Sequence, residues 1–221
     1  MPANVELILS RLYKKYGRQL HTQLKHRNNT ELFVAVLLSP QCTDTQTNKV
    51  TSKLFKHFKT FEDYANANLK TLQSYMRGLN YYKTKAKYLK AASRQMLQLY
   101  HGKVPRTMKE LLALDGVGRK VANVILHEAY GINEGIAVDT HVKTTARRLG
   151  LTKSDKPEVI EKDLMRQTEQ SRWGDLSNLL IALGRDTCKA ARKECYRCVL
   201  NDICPSSTAR KTKIVETAKN L

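Results

Sequence analysis

Apolar residues along this chain recur at the three- and four-residue spacing of helices and almost nowhere at the strict alternation of a half-buried strand. The run from Leu32 to Leu38 is unbroken and predicts a buried segment that stops before Pro40, because the residue preceding a proline is pushed out of the α region. Thr43-Asp44-Thr45-Gln46 has capping-box spacing and predicts a helix starting there and running towards His57. Thr60 before Phe61-Glu62-Asp63 predicts a short helix in the same way, and another is expected from about Leu69 to Met76, stopping at Gly78 or Asn80. Tyr82, Ala86, Leu89, Ser93, Met96 and Tyr100 form one face of a long amphipathic helix that should end at Gly102.

Thr107-Met108-Lys109-Glu110 is a further capping box before a short helix, which Asp115-Gly116-Val117-Gly118 then breaks. Helical spacing resumes at Arg119 and runs to Gly131, a suitable left-handed stop. Further helices are expected at Thr140 to Leu149, at about Pro157 to Glu169, and at Trp173 to Leu183 with Gly184 as the stop. The fold class that follows is all-α.

Charge narrows the partner. The 221 residues carry 39 Lys and Arg against 20 Asp and Glu, a formal charge of +19, while 41% are hydrophobic and only ten are Gly and five Pro. Such a chain is globular rather than disordered, and the usual acidic partner of so basic a surface is a nucleic-acid backbone. No apolar run approaches the length of a membrane span, and the start Met1-Pro2-Ala3-Asn4 carries no secretory pattern, so a reducing intracellular compartment is expected. Four of five cysteines crowd between Cys188 and Cys204, which in that compartment reads as metal ligation before disulfide. Cys42 stands apart and is expected to be a small buried side chain.

Three features carry chemistry. Gly116-Val117-Gly118 lets the backbone turn tightly at the mouth of a helix, where the first free N–H groups suit a phosphate; the bland alternative is a turn between packed helices. Lys120 lies in the first turn after that hairpin, where the helix dipole and partial desolvation favour the neutral, nucleophilic amine, although a solvated charge is the commoner role of one Lys among many. Asp139 after Ile136-Ala137-Val138 reads as an N-cap that stays ionised, able also to accept a proton or stabilise a developing cation. Finally, Cys188-x6-Cys195-x2-Cys198-x5-Cys204 brings four thiolates within reach of one soft centre, either zinc or an iron–sulfur cluster. Lys189, Arg192 and Lys193 make the first loop of that cluster basic, which reads as a DNA-contacting loop or as an ordinary solvated charge run.

Taken together, these residues resemble the endonuclease III family of helix-hairpin-helix DNA glycosylases and abasic-site lyases, over about Leu32 to Cys204. The matching stretches are Leu37-Leu38-Ser39-Pro40-Gln41, Leu114-Asp115-Gly116-Val117-Gly118-Arg119-Lys120-Val121-Ala122-Asn123, Ala137-Val138-Asp139-Thr140-His141-Val142 and the four-cysteine spacing; Asp115 stands where the family usually has Pro. The resemblance implies a two-lobed fold: a six-helix barrel lobe over 22–135 with the hairpin, and an iron–sulfur cluster lobe from 1–21 and 136–221. It implies a [4Fe-4S] cluster on Cys188, Cys195, Cys198 and Cys204, and a catalytic pair of Lys120 and Asp139. DNA binding would fall to Gln41, Gly116, Val117, Gly118, Arg119, His141 and the loop Lys189, Arg192 and Lys193. Gln41 would fill the hole left by a flipped nucleotide. Matching Tyr82-Lys83-Thr84-Lys85-Ala86 to the second inserting loop puts Tyr81 at the wedge and Asn80 at its preceding glycine, whereas a shift of two residues would choose Leu79.

The activity implied is excision of oxidised or ring-saturated pyrimidines such as thymine glycol from double-stranded DNA, then strand cleavage by β-elimination. The partner would be duplex DNA with damaged bases or abasic sites, met by a monomer in the cytoplasm or nucleoid of a prokaryote. A mismatch adenine glycosylase of the same superfamily is the nearest alternative, but that branch generally lacks the lysine at Lys120. A non-enzymatic iron–sulfur DNA-binding protein is the alternative from another class.

Overall fold

The computed structural model describes residues 4–18 and 20–209, so the outer ends of the lobe expected over 1–21 and 136–221 lie outside the described residues. Among the described residues there are eleven α-helices and no strand. They are α1 (Val5–Tyr16), α2 (Asn29–Leu38), α3 (Asp44–His57), α4 (Phe61–Asn66), α5 (Leu69–Tyr75), α6 (Tyr82–Tyr100), α7 (Met108–Leu112), α8 (Arg119–Tyr130), α9 (Thr140–Leu149), α10 (Pro157–Gln167) and α11 (Trp173–Asp186). The fold class is all-α, as expected. The described chain forms two compact units, one being Thr22–Ile132 and the other the stretches up to His21 and from Asn133 onward.

In the Thr22–Ile132 unit, α2 is the centre. Every residue from Glu31 to Leu38 is buried, and α2 packs against α3, α6 and α8. A helix apolar on all sides is stable only when covered on all sides. Around it, α6 contributes Ala86, Leu89, Ala92 and Met96 to the same core, and α8 contributes Val121, Ile125 and Leu126. The caps explain the starts. The Thr43 hydroxyl accepts from the Gln46 N–H at 3.1 Å, and Thr60 with Asp63 makes a full reciprocal capping box. The Gln46 side chain does not close its own box; it donates instead to the Gly78 carbonyl.

The second unit has its own core of Ile8, Leu9 and Leu12 from α1, Val142 and Leu149 from α9, Ile160 and Leu164 from α10, Leu176 and Leu180 from α11, and Leu200. Here one expectation fails. Gly184 is not a stop, because α11 continues to Asp186. A Cβ at Gly184 would lie 2.9 Å from the His141 Cβ, so the glycine is there to let α9 and α11 touch.

Polar ties bind α1 to the end of α11 and to the cysteine-rich segment. The Asp186 carboxylate meets Lys15 Nζ at 2.6 Å, the Tyr16 hydroxyl at 2.8 Å and an Arg197 guanidinium nitrogen at 2.9 Å. The Arg11 guanidinium pairs with Asp202 and donates to the Val199 carbonyl at 3.1 Å. The Lys15 bond first, then Tyr16 and Arg197, hold the Asp186 carboxyl at about 2, against an opposing effect of burial. Its folded pKa lies below its unfolded value, so this stabilisation is fully present above pH about 4 and is lost as pH falls through 2. Asp186→Asn should therefore lower stability at pH 7 by about 1 kcal/mol in urea unfolding. The gap from wild type should shrink between pH 4 and 2, and a pH-independent gap would contradict the assignment.

Candidate DNA interface and active site

The hairpin between α7 and α8 follows from backbone requirements. The Val117 N–H donates to the Leu114 carbonyl at 3.2 Å, closing a turn over Asp115 and Gly116, and the Asp115 N–H donates to Gln95 of α6 at 2.8 Å. Gly116 has φ +78°, and a Cβ there would sit 2.7 Å from the Tyr88 Cβ, so conformation and space both demand glycine. Val117 is buried, whereas Gly116, Gly118 and Arg119 are exposed. Gly118 caps α8 and makes no side-chain cap hydrogen bond at the mouth of this 12-residue helix. That is the arrangement an anion uses. Lys120 lies half-buried in the first turn.

Two loops of the same unit are joined. The first, Pro40-Gln41-Cys42, follows α2; the second, Leu79-Asn80-Tyr81, precedes α6. Asn80 Nδ2 donates to the Gln41 carbonyl at 2.6 Å, and the Asn80 N–H reaches Cys42 Sγ at 3.3 Å. Lys85 Nζ donates to the Pro40 carbonyl at 2.7 Å and lies 3.2 Å from Cys42 Sγ. Cys42 is thus not the small buried side chain expected: it is half-buried, and its sulfur accepts from the Asn80 N–H and from Lys85 Nζ. Leu79 is 3% exposed and belongs to the core, whereas Tyr81 is 67% exposed, so of the two wedge candidates only Tyr81 is on offer to a partner. Beside these loops lies a groove of about 570 Å³ between α3 and the end of α5, walled by Lys49, Lys53 and Arg77 over Val50 and Tyr75, with Gly78 at its edge. No carboxylate lines it. Sequence reading passed over these cations, although Lys49 and Lys53 sit four apart on one helix face, which was the available signal.

In the other unit, Ile136-Ala137-Val138 is buried and held by two side chains. The Ile136 N–H donates to the buried Glu161 carboxylate at 3.2 Å, and the buried Ser177 hydroxyl donates to the Ala137 carbonyl at 2.8 Å. Asp139, half-buried, caps α9 by accepting from the Val142 N–H at 2.8 Å through Oδ1; Oδ2 takes no part in the cap. His141 packs its ring against Gly184.

Cys188, Cys195, Cys198 and Cys204 are all free thiols and line one small cavity of about 20 Å³. Among the described residues no three His, Cys, Asp or Glu side chains converge on the position of a single metal ion. The buried hydroxyls of Thr187 and Ser207 line the same cavity with no hydrogen-bond partner. Burial, and the neighbouring thiols after it, push Cys198 and Cys204 above the ordinary thiol value; at Cys195 burial is outweighed by Thr208 and the Lys193 charge. Arg148 of α9 clamps the loop, donating to the carbonyls of Cys188 (3.1 Å), Lys189 (2.8 Å) and Ala190 (2.9 Å). It too was missed, since one Arg on a helix carries no motif. Lys189 and Arg192 are exposed, but Lys193 turns inward, donating to the Ser206 carbonyl at 3.0 Å.

Comparison with known proteins supplies the lineage. Residues 34–170 match the profile of the HhH-GPD superfamily base excision DNA repair proteins. Endonuclease III of Bacillus subtilis is 41% identical over 192 residues, covering 86% of this chain and 87% of that protein. Endonuclease III of Synechocystis is 39% identical over 203 residues, covering 92% and 91%. The chain belongs to the endonuclease III family. A solved structure of a trapped endonuclease III–DNA covalent intermediate is 37% identical, with a TM-score of 0.88 over 94% of this chain and 97% of that one. As a member of this family the chain is a base excision repair enzyme, a DNA glycosylase and abasic-site lyase. No described helix is long and apolar enough to cross a membrane.

Because Arg148 makes three bonds to one loop, Arg148→Met should destabilise the protein by about 2 kcal/mol. Amide exchange at residues 188–190 should quicken while exchange in α2 stays unchanged; equal quickening in both would argue against a local clamp.

Proposed function

We propose that this enzyme acts as a monomer in a reducing cytoplasm, removes oxidised or ring-saturated pyrimidines such as thymine glycol from duplex DNA, and nicks the strand with Lys120 as nucleophile. The observation that carries this reading is Lys120 itself, half-buried in the first turn of α8 directly after a hairpin built to receive a phosphate. The target nucleotide must leave the stack, since its C1′ is unreachable inside the duplex. Gln41 and Tyr81 fill the vacated space, while the hairpin N–H groups, Arg119 and the groove of Lys49, Lys53 and Arg77 hold phosphates. Exposed Lys189 and Arg192 of the cysteine-rich loop, and His141, are further DNA contacts.

The Lys120 amine attacks C1′, the glycosidic C–N bond breaks with its electron pair going to the base, and the base departs with the proton that the amine gives up. Sugar ring opening gives an iminium between C1′ and Nζ. Loss of a C2′ proton then expels the 3′ phosphate, which is the β-elimination. Asp139, with Oδ2 outside the helix cap, is the carboxylate for proton transfer and for stabilising positive charge as it develops on the sugar.

The four cysteines fit a [4Fe-4S] cluster. Their four free thiols line one cavity, and the hydroxyls of Thr187 and Ser207 beside it, without a hydrogen-bond partner, can donate to sulfur there. A cationic iron core would favour the thiolate form of Cys198 and Cys204, which burial otherwise opposes. When bound, the cluster supplies a fixed anchor for the loop that carries Lys189 and Arg192. Arg148 and Lys193 hold the loop's backbone around it.

The experiment is borohydride trapping on a duplex with one thymine glycol. Wild type should give a covalent protein–DNA band and Lys120→Gln none, with DNA affinity retained; a band from Lys120→Gln would remove its role. A second expectation concerns the groove. Replacing Lys49, Lys53 and Arg77 together by Gln should reduce the slope of log affinity against log salt by about 2 to 3, one phosphate contact for each cation lost. An unchanged slope would place the groove off the DNA.

A further inference from the structure

Gln41 and Tyr81 share an uncommon property: both hold left-handed backbone, with φ of 58° and 56°, without being glycine. Such conformations persist only where the surroundings over-determine them. For Gln41 the restraint can be read bond by bond. The peptide plane before it carries the Pro40 carbonyl, which Lys85 Nζ grips at 2.7 Å. The peptide plane after it carries its own carbonyl, which Asn80 Nδ2 grips at 2.6 Å. With both flanking planes held, φ and ψ of Gln41 are held. Asn80 is also the neighbour of Tyr81, and its N–H is tied to Cys42 Sγ, the atom Lys85 also reaches.

Lys85 is an expensive choice for this work. Its side chain is 8% exposed, and its ammonium faces a carbonyl and a thiol, with no carboxylate ion pair among the described residues. Burying a charge on such partners opposes folding, and an apolar side chain would fill the space at less cost. The bond it makes must therefore have a use beyond packing.

We propose that Lys85 is a positioning residue for base extrusion: with Asn80 it clamps both peptide planes flanking Gln41, and so presents Gln41 and Tyr81 to the duplex as one preformed pair. The inference rests on the inserting roles given to those two residues above. The amide and the ring enter the stack in one step, because neither loop can move without the other.

The test compares a substrate that needs extrusion with one that does not. On a duplex carrying thymine glycol, Lys85→Met should slow single-turnover base release by about 10- to 100-fold. Borohydride trapping on a single-stranded abasic oligonucleotide should stay at the wild-type level. Lys85→Arg should recover part of the duplex rate, since a guanidinium can still donate to Pro40. Asn80→Ala, at an exposed position that does not endanger folding, should show the same duplex-only loss, and combining it with Lys85→Met should add little. An arm independent of chemistry uses 2-aminopurine opposite an abasic-site analogue: wild type should raise its fluorescence on binding, and both variants should raise it less. Equal fluorescence in all three proteins, or equal loss on both substrates with an unchanged melting temperature, overturns the proposal. A wild type that raises the fluorescence yet traps nothing would overturn the role of Lys120 and leave this inference standing.

Discussion

Burial of α2 on every face is the constraint from which the Thr22–Ile132 unit is built. A helix carrying seven consecutive apolar residues has no solvent side, so α3, α6 and α8 must be arranged to cover it. The buried helix and two of the helices that cover it, α6 and α8, carry the proposed site residues at or beside their ends. The end of α2 runs into Pro40-Gln41, the start of α6 follows Tyr81, and α8 begins with Arg119 and Lys120. Groups that must act with small positional error are thus attached to elements that cannot shift without opening the core.

The other unit solves a different problem with polar atoms. Asp139 sits at the end of a buried extended segment whose amide and carbonyl are taken by Glu161 and Ser177, so its backbone is fixed before its side chain is considered. The cap on α9 occupies one carboxylate oxygen and leaves the other, so helix start and charged group coexist in one residue. Arg148 and the Asp186 cluster add polar ties to a cysteine-rich segment that also places Leu200, Val199 and Ile203 on the core of this unit.

Most of the helices were legible because their boundaries are local. Thr43, Thr60 and Thr107 cap within three residues of themselves, and Gly131 and Gly150 end helices through their own backbone angles. Gly184 was misread because its reason is the ring of His141, distant in sequence. Cys42 was misread because its partners, Asn80 and Lys85, lie on another loop and helix. The same distinction divides the site. Hairpin, lysine, aspartate and cysteines fall in short contiguous patterns, whereas the Lys49, Lys53 and Arg77 groove and the Arg148 clamp are assembled by the fold from single residues that carry no pattern.

The ties from α1 to Asp186 and Asp202 also set an order of assembly. The apolar face of α1, with Ile8, Leu9 and Leu12, belongs to a core completed by Leu176, Leu180 and Leu200. During synthesis the whole Thr22–Ile132 unit emerges between them. At ribosomal speeds, α1 waits roughly 10 to 40 s for its partners while the intervening unit folds as a block. The apolar face of the α1 segment therefore stays uncovered until the later residues of its own core have been made. The acidic and basic residues on that helix, Glu6, Arg11, Lys14 and Lys15, keep it soluble through the wait before several of them become its anchors.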